Sequence, residues 1–106
     1  MPTIEQLKAA LGDDPSDPVL HFSLANAYRD QNKIAEAIEH YGLATQHKRD
    51  YSAAWFEMAR LAEAHADLKT ARAAYLGAMD ASRGTGDDHI LKAAEVRLKR
   101  LERNHT

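Results

Sequence analysis

Six histidines invite a chemical reading before anything else: His21, His40, His47, His65, His89 and His105. A metal centre or a proton-transfer site needs such side chains to converge, and helical spacing is the first test of that. His40 and His47 lie two turns apart, too far for an i,i+4 ligand pair, and the rest are scattered. No HExxH, no cysteine and no glycine-rich phosphate loop is present. The stretch RGTGDD (83–88) has two glycines, but no Lys-Ser/Thr follows and no strand precedes it, so it reads as a connector. Asp13, Asp14 and Asp17 sit where a turn explains them, and Asp87 and Asp88 have the same use as caps. Ser23, Ser52 and Ser82 have no His/Asp partner at helical spacing. The expectation is no catalysis, no cofactor and no metal.

Two short basic clusters, HKR (47–49) and RLKRLER (97–103), could touch nucleic acid or an acidic protein. They also load positive charge near helix C-termini, where the helix dipole favours it. A formal net charge of -2 and a pI near 6.3 favour the second use and argue against a nucleic-acid partner. The N-terminus MPTIEQLKAALGDD lacks the basic start and apolar core of a secretory signal. No apolar run approaches the roughly 20 residues of a membrane helix. With no cysteine, a cytoplasmic location is the fitting expectation.

The elements that would position any site are helices. Ala, Leu, Glu, Lys, Arg and Gln dominate, and no stretch alternates β-branched residues at period two. Turn chemistry breaks the chain at GDDPSDP (12–18), QNK (31–33), KRDYS (48–52), HAD (65–67) and RGTGDD (83–88). Gly12 reads as a C-terminal stop, Asp17 as a cap with Pro18 at the first helical position, and Asn32 as a left-handed stop. Helices are predicted near 3–11, 18–31, 34–47, 52–65, 68–82 and 88–103. The fold class is all-α.

A repeat then emerges. Ala37, Tyr41 and Ala44 recur as Ala71, Tyr75 and Ala78, offset by 34 residues. The same slide matches Phe22 with Phe56, Leu24 with Met58, Ala25 with Ala59, Ile34 with Leu68, and Arg49 with Arg83. Two helices per 34 residues is the tetratricopeptide spacing. On these residues the chain resembles the tetratricopeptide repeat (TPR) family. The departures are His21 where the family prefers Trp, Ala62 where it prefers Tyr, and Arg49 and Arg83 where it prefers Pro. The resemblance implies a right-handed α-α superhelix of about six helices in a single domain. Its parts are a half-repeat helix at 3–17, repeats at 18–51 and 52–85, and a capping helix within 86–106. On α-helix geometry alone, the recurring alanines allow close backbone approach, and Tyr28, Tyr41 and Tyr75 fill the wedge beside each contact. Leu91, Ala94, Leu98 and Leu101 form one apolar stripe on the last helix.

The resemblance also implies a concave groove lined by first helices. Its places fall on Val19, Phe22, Asn26, Arg29 and Asp30, then on Ala53, Phe56, Arg60, Glu63 and Ala64, with Ile90, Ala94 and Arg97 from the last helix. The candidate peptide-binding residues are Phe22, Asn26, Arg29, Phe56, Arg60, Glu63 and Arg97. Rings supply contact area, arginines supply charge-assisted bonds, and an amide can hold a peptide backbone. A clamp for a C-terminal carboxylate, known in some family members, is disfavoured: only Asn26 matches, with Phe22, Glu57, Asp87 and Leu91 at its other places. The function expected is a non-catalytic adaptor or scaffold for a protein or peptide partner. The alternatives are a self-associating element stacked through its terminal helices, giving a homo-oligomer, or a regulatory subunit of an enzyme. The packing is testable: Ala44→Leu should overpack its contact and cost about 1–3 kcal/mol, read as a lower thermal midpoint, and an unchanged midpoint contradicts it.

Overall fold

The computed structural model describes residues 1–104, all of them in helices and short connections. Six helices follow one another: α1 (Ile4–Asp13), α2 (Pro18–Asp30), α3 (Ile34–His47), α4 (Ser52–Ala64), α5 (Leu68–Thr85) and α6 (Asp88–Asn104). No strand occurs among the described residues. The contacts divide into two compact units, residues 1–48 with α1 to α3 and residues 49–106 with α4 to α6.

Local chemistry sets the helix ends. Thr3 and Gln6 form a reciprocal capping box at α1, with Gln6 N–H donating to Thr3 Oγ1 (3.1 Å) and Thr3 N–H to Gln6 Oε1 (2.9 Å). Asp17 caps α2 by accepting from Val19 N–H at 2.8 Å, with Pro18 next to it as expected. Asn32 adopts the left-handed conformation (φ 58°), which lets Lys33 N–H close back on the Tyr28 carbonyl at 2.9 Å. The device recurs 34 residues later. Ala66 takes φ 61° and Asp67 N–H reaches the Ala62 carbonyl at 2.9 Å.

Two boundaries differ from the sequence reading. Gly12 does not stop α1, which continues through Asp13. The loop expected from 83 to 88 is mostly helix, because α5 runs to Thr85 and stops at Gly86 in the left-handed region (φ 76°). Arg83 is the reason. Proline there would restrict the residue before it and end the helix, whereas Arg83 continues it.

In the first unit Leu24, Ala25, Ala37, Tyr41 and Ala44 are buried, with Leu7 of α1 beside them. In the second, Met58, Ala59, Ala71, Tyr75 and Ala78 are buried, joined by Ala94, Leu98 and Leu101 of α6. The predicted apolar stripe of α6 is therefore its packed face, Leu91 being only partly buried.

Each unit fills the space between its paired helices in its own way. In the second, the Trp55 ring lies flat against Gly77, where an added Cβ would come within 2.5 Å of Cε3. The indole N–H donates to the Arg49 carbonyl (2.9 Å). The residues 34 earlier are His21 and Leu43, a smaller ring opposite a larger partner.

That smaller ring gathers others, so the histidines are less scattered than their spacing suggests. His21 is buried and stacks on His40 (centroids 5.3 Å apart) and on His47 (5.5 Å). His40 in turn stacks on Tyr28 (5.6 Å). Only the turn between α2 and α3 brings α3 back along α2, which linear spacing does not reveal.

Gly77→Ala isolates the Trp55 contact. Helix propensity alone favours alanine by about 1 kcal/mol, and overpacking opposes it by about 1–3 kcal/mol. Because the obstacle is a rigid ring, the clash should win by about 1–2 kcal/mol in denaturant unfolding followed by Trp55 fluorescence. A midpoint equal to or above wild type would show that the ring is not held there.

Candidate peptide-binding faces

Phe22, Asn26 and Arg29 follow one another on α2 at steps of four and three residues, which places them on one side of the helix. All three converge on Tyr41 of α3. The Phe22 ring meets the Tyr41 ring edge to face, with centroids 5.7 Å apart and planes at 61°. Arg29 donates from a terminal guanidinium nitrogen to the Tyr41 hydroxyl at 3.1 Å. That hydroxyl donates its one proton to Asn26 Oδ1. The relay commits the Asn26 oxygen and leaves its NH2 as the donating end of the amide. Arg29 also pairs with Asp30 at 3.4 Å, where both side chains are well exposed, so the pair adds little stability.

The second unit repeats the plan with other end groups. Phe56 meets Tyr75 edge to face, at 6.0 Å and 64°. The Tyr75 hydroxyl donates to Glu63 Oε1 at 2.5 Å. Burial, then the bond to Glu63, pushes the Tyr75 phenol up to about 12, with the Arg97 guanidinium opposing. The hydroxyl thus stays protonated and donating throughout the physiological range. Arg60 and Arg97 each place a guanidinium over the Phe56 ring, 5.9 and 5.8 Å from its centroid. Arg60 also pairs with Glu57 at 3.2 Å. Arg97 comes from α6, so that helix adds a guanidinium to the face of α4.

The seven candidate residues therefore form two clusters, one per unit: Phe22, Asn26 and Arg29 around Tyr41, and Phe56, Arg60, Glu63 and Arg97 around Tyr75. The two rings are partly exposed. Among the companion positions, Val19, Asp30 and Ala64 are exposed, and Ala53 and Ile90 are partly buried. Ala94 is a correction. It is fully buried in the α6 stripe and offers nothing to an open face. What sequence reasoning missed is the part played by Tyr41 and Tyr75, read only as wedge fillers. Their rings are fully buried, yet each hydroxyl orients a polar group on the face. The clue was present, since both tyrosines recur at the same 34-residue offset as Phe22 and Phe56.

Each face offers an aromatic surface beside fixed donors and, on α4, a carboxylate. Among the described residues no three His, Asp or Glu side chains converge as a metal site would require.

No protein-family model matches the chain. A TPR repeat-containing protein of Pseudomonas aeruginosa is 29% identical over 103 residues, covering 97% of this chain and 98% of that protein. The solution structure of a Bordetella parapertussis protein superposes with a TM-score of 0.76 at 27% identity, covering 98% of this chain and 90% of that one. The crystal structure of the Sgt2 TPR domain from Aspergillus fumigatus gives 0.73 at 27% identity, over 94% of this chain and 68% of that one. With the 34-residue period, the six helices and the helix-pair packing, these likenesses show that the chain has a tetratricopeptide-type fold and is similar to small proteins of that family.

Proposed function

We propose that this chain is a non-catalytic adaptor or scaffold that holds a peptide or partner-protein segment against the α2 and α4 faces. TPR folds mediate protein–protein interaction in general, and the particular faces are the reading advanced here. One observation carries it. Each unit builds a Phe–Tyr platform from positions equivalent under the repeat, and each tyrosine hydroxyl orients a polar group beside it, Asn26 in one unit and Glu63, one helical turn further along, in the other. A core contact needs the tyrosine ring alone; it does not need an oriented amide or carboxylate beside a partly exposed phenylalanine. Fixed donors and acceptors next to an aromatic surface suit a segment with apolar and polar side chains, whose ordering cost is reduced when the site is already shaped.

The reading takes residues 3–85 as the half-repeat and two repeats of one domain, capped by α6, in a cytoplasmic protein. It ascribes no reaction to the chain.

Capture of partners from a host lysate tests it. Phe22→Ala and Phe56→Ala/Arg60→Ala should each retain roughly tenfold less of the partner held by wild type, as expected for truncated hot-spot residues. Circular dichroism should show the helices intact. A partner retained equally by all three proteins would remove both faces from the argument. Light scattering across concentration bears on self-association, and a concentration-dependent dimer abolished by these substitutions would make a second copy the partner.

A further inference from the structure

The stacked histidines of the first unit lie outside the faces just described, and their hydrogen bonds are directional. His21 Nε2 lies 2.8 Å from the Pro15 carbonyl. A carbonyl only accepts, so that nitrogen carries a proton. The other nitrogen of a neutral His21, Nδ1, is then a lone pair. It faces His40 Nδ1 at 3.1 Å, and the proton in that contact belongs to His40. Two neutral imidazoles therefore share one Nδ1 proton, with no room for a second. His21 is only 6% exposed, so it cannot swing aside without opening the contact between α2 and α3.

We infer that the His21–His40 contact is a proton-operated latch, which holds the α2–α3 hairpin closed near neutral pH and loosens it in acid.

The surroundings determine the sign. His40 is met by His21 and Tyr28 from α2, by its neighbour Glu39 on α3, and by Lys8 from α1. His47 covers His21 as a second stacked imidazole. Burial lowers the His40 value below the ordinary 6.5, and His21 adds to the lowering; Glu39 raises it and Lys8 lowers it slightly further. The unfolded chain therefore binds more protons than the folded one as pH falls through 6.5. Stability is present above that value and is lost below it. A proton entering at His40 Nε2 puts a charge into this part-buried stack, against burial and against His21, and a further proton in the 3.1 Å Nδ1–Nδ1 contact would set N–H against N–H.

The repeat supplies an internal control. The positions equivalent to His21, Tyr28, His40 and His47 are Trp55, Ala62, Ala74 and Ala81, none of which titrates as an imidazole. In the second unit the two histidines of the described residues, His65 and His89, are both exposed.

Amide hydrogen exchange of the full chain at pH 7.5, 6.5, 5.5 and 5.0, corrected for intrinsic rates, reads the two hairpins separately. Between pH 6.5 and 5, protection of α2 and α3 should fall roughly 30-fold for each proton excluded from the folded state, while α4 and α5 change little. His40→Phe keeps a stacked ring without a titrating group, and should flatten that dependence even if its protection is lower overall. Should that variant fail to fold, histidine-ring NMR of wild type decides. The His40 ring should protonate below its ordinary value of 6.5, with loss of α2–α3 protection over the same range. Parallel pH profiles for both hairpins, an undiminished dependence in His40→Phe, or a His40 ring that titrates with no change in α2–α3 protection would each overturn the latch.

Discussion

Two helices can bring their backbones close only where nothing larger than a methyl group stands between them, and this chain meets that condition at positions set by its period. Ala25, Ala37 and Ala44 in one unit, and Ala59, Ala71 and Ala78 in the other, are fully buried. Close approach at these points leaves a wedge beside each contact, and a tyrosine occupies it in both units. A wider residue at the contact would separate the helices, and the wedge would no longer fit its ring. The faces depend on this geometry. Phe22 and Phe56 have a ring edge to lean on only because Tyr41 and Tyr75 are held where they are.

The same backbone arrangement tolerates different fillings, and the differences carry the individuality of the chain. Trp55 packs against Gly77 in one unit, and the equivalent positions of the other hold a smaller ring, His21, and a larger residue, Leu43. Tyr28 and His40 have Ala62 and Ala74 as counterparts, all four at least partly buried. Packing to a constant density accepts either choice, but the consequences differ. An indole and alanines bring no titrating side chain to these positions. Imidazoles give a core whose hydrogen bonds require a particular protonation state.

How far the sequence could be read follows from what each feature depends on. The six helices and most of their ends were legible because caps and stops are local. Asp17, Asn32 and Asp87 act on backbone groups within a few residues of themselves. The end of α5 was misread because RGTGDD has the composition of a loop, whereas the chain stays helical through Thr85 and turns left-handed only at Gly86. The placing of Phe22 and Phe56 beside their tyrosines was legible through the repeat. Their bonding was not, since whether Tyr75 reaches Glu63 or Arg60 depends on side-chain directions that spacing leaves open. The histidine column was invisible for a related reason. His21 and His40 are 19 residues apart, and no helical periodicity relates residues on opposite sides of a turn.

Tyrosine at the wedge, rather than phenylalanine, links the interior to the surface. A phenylalanine would supply the same edge and nearly the same buried area. The hydroxyl adds one directed proton, delivered to Asn26 in one unit and to Glu63 in the other. Burial raises the Tyr75 phenol to about 12, which keeps that proton in place and the bond pointing outward. One side chain then serves two requirements at different depths: its ring spaces the helices, and its oxygen sets the orientation of a group at the face. Packing and the presentation of the outer polar groups are therefore coupled through the same two residues. A change in core spacing would rotate the amide or carboxylate presented outside, and the outer polar residue is free to vary between repeats provided that it accepts the proton.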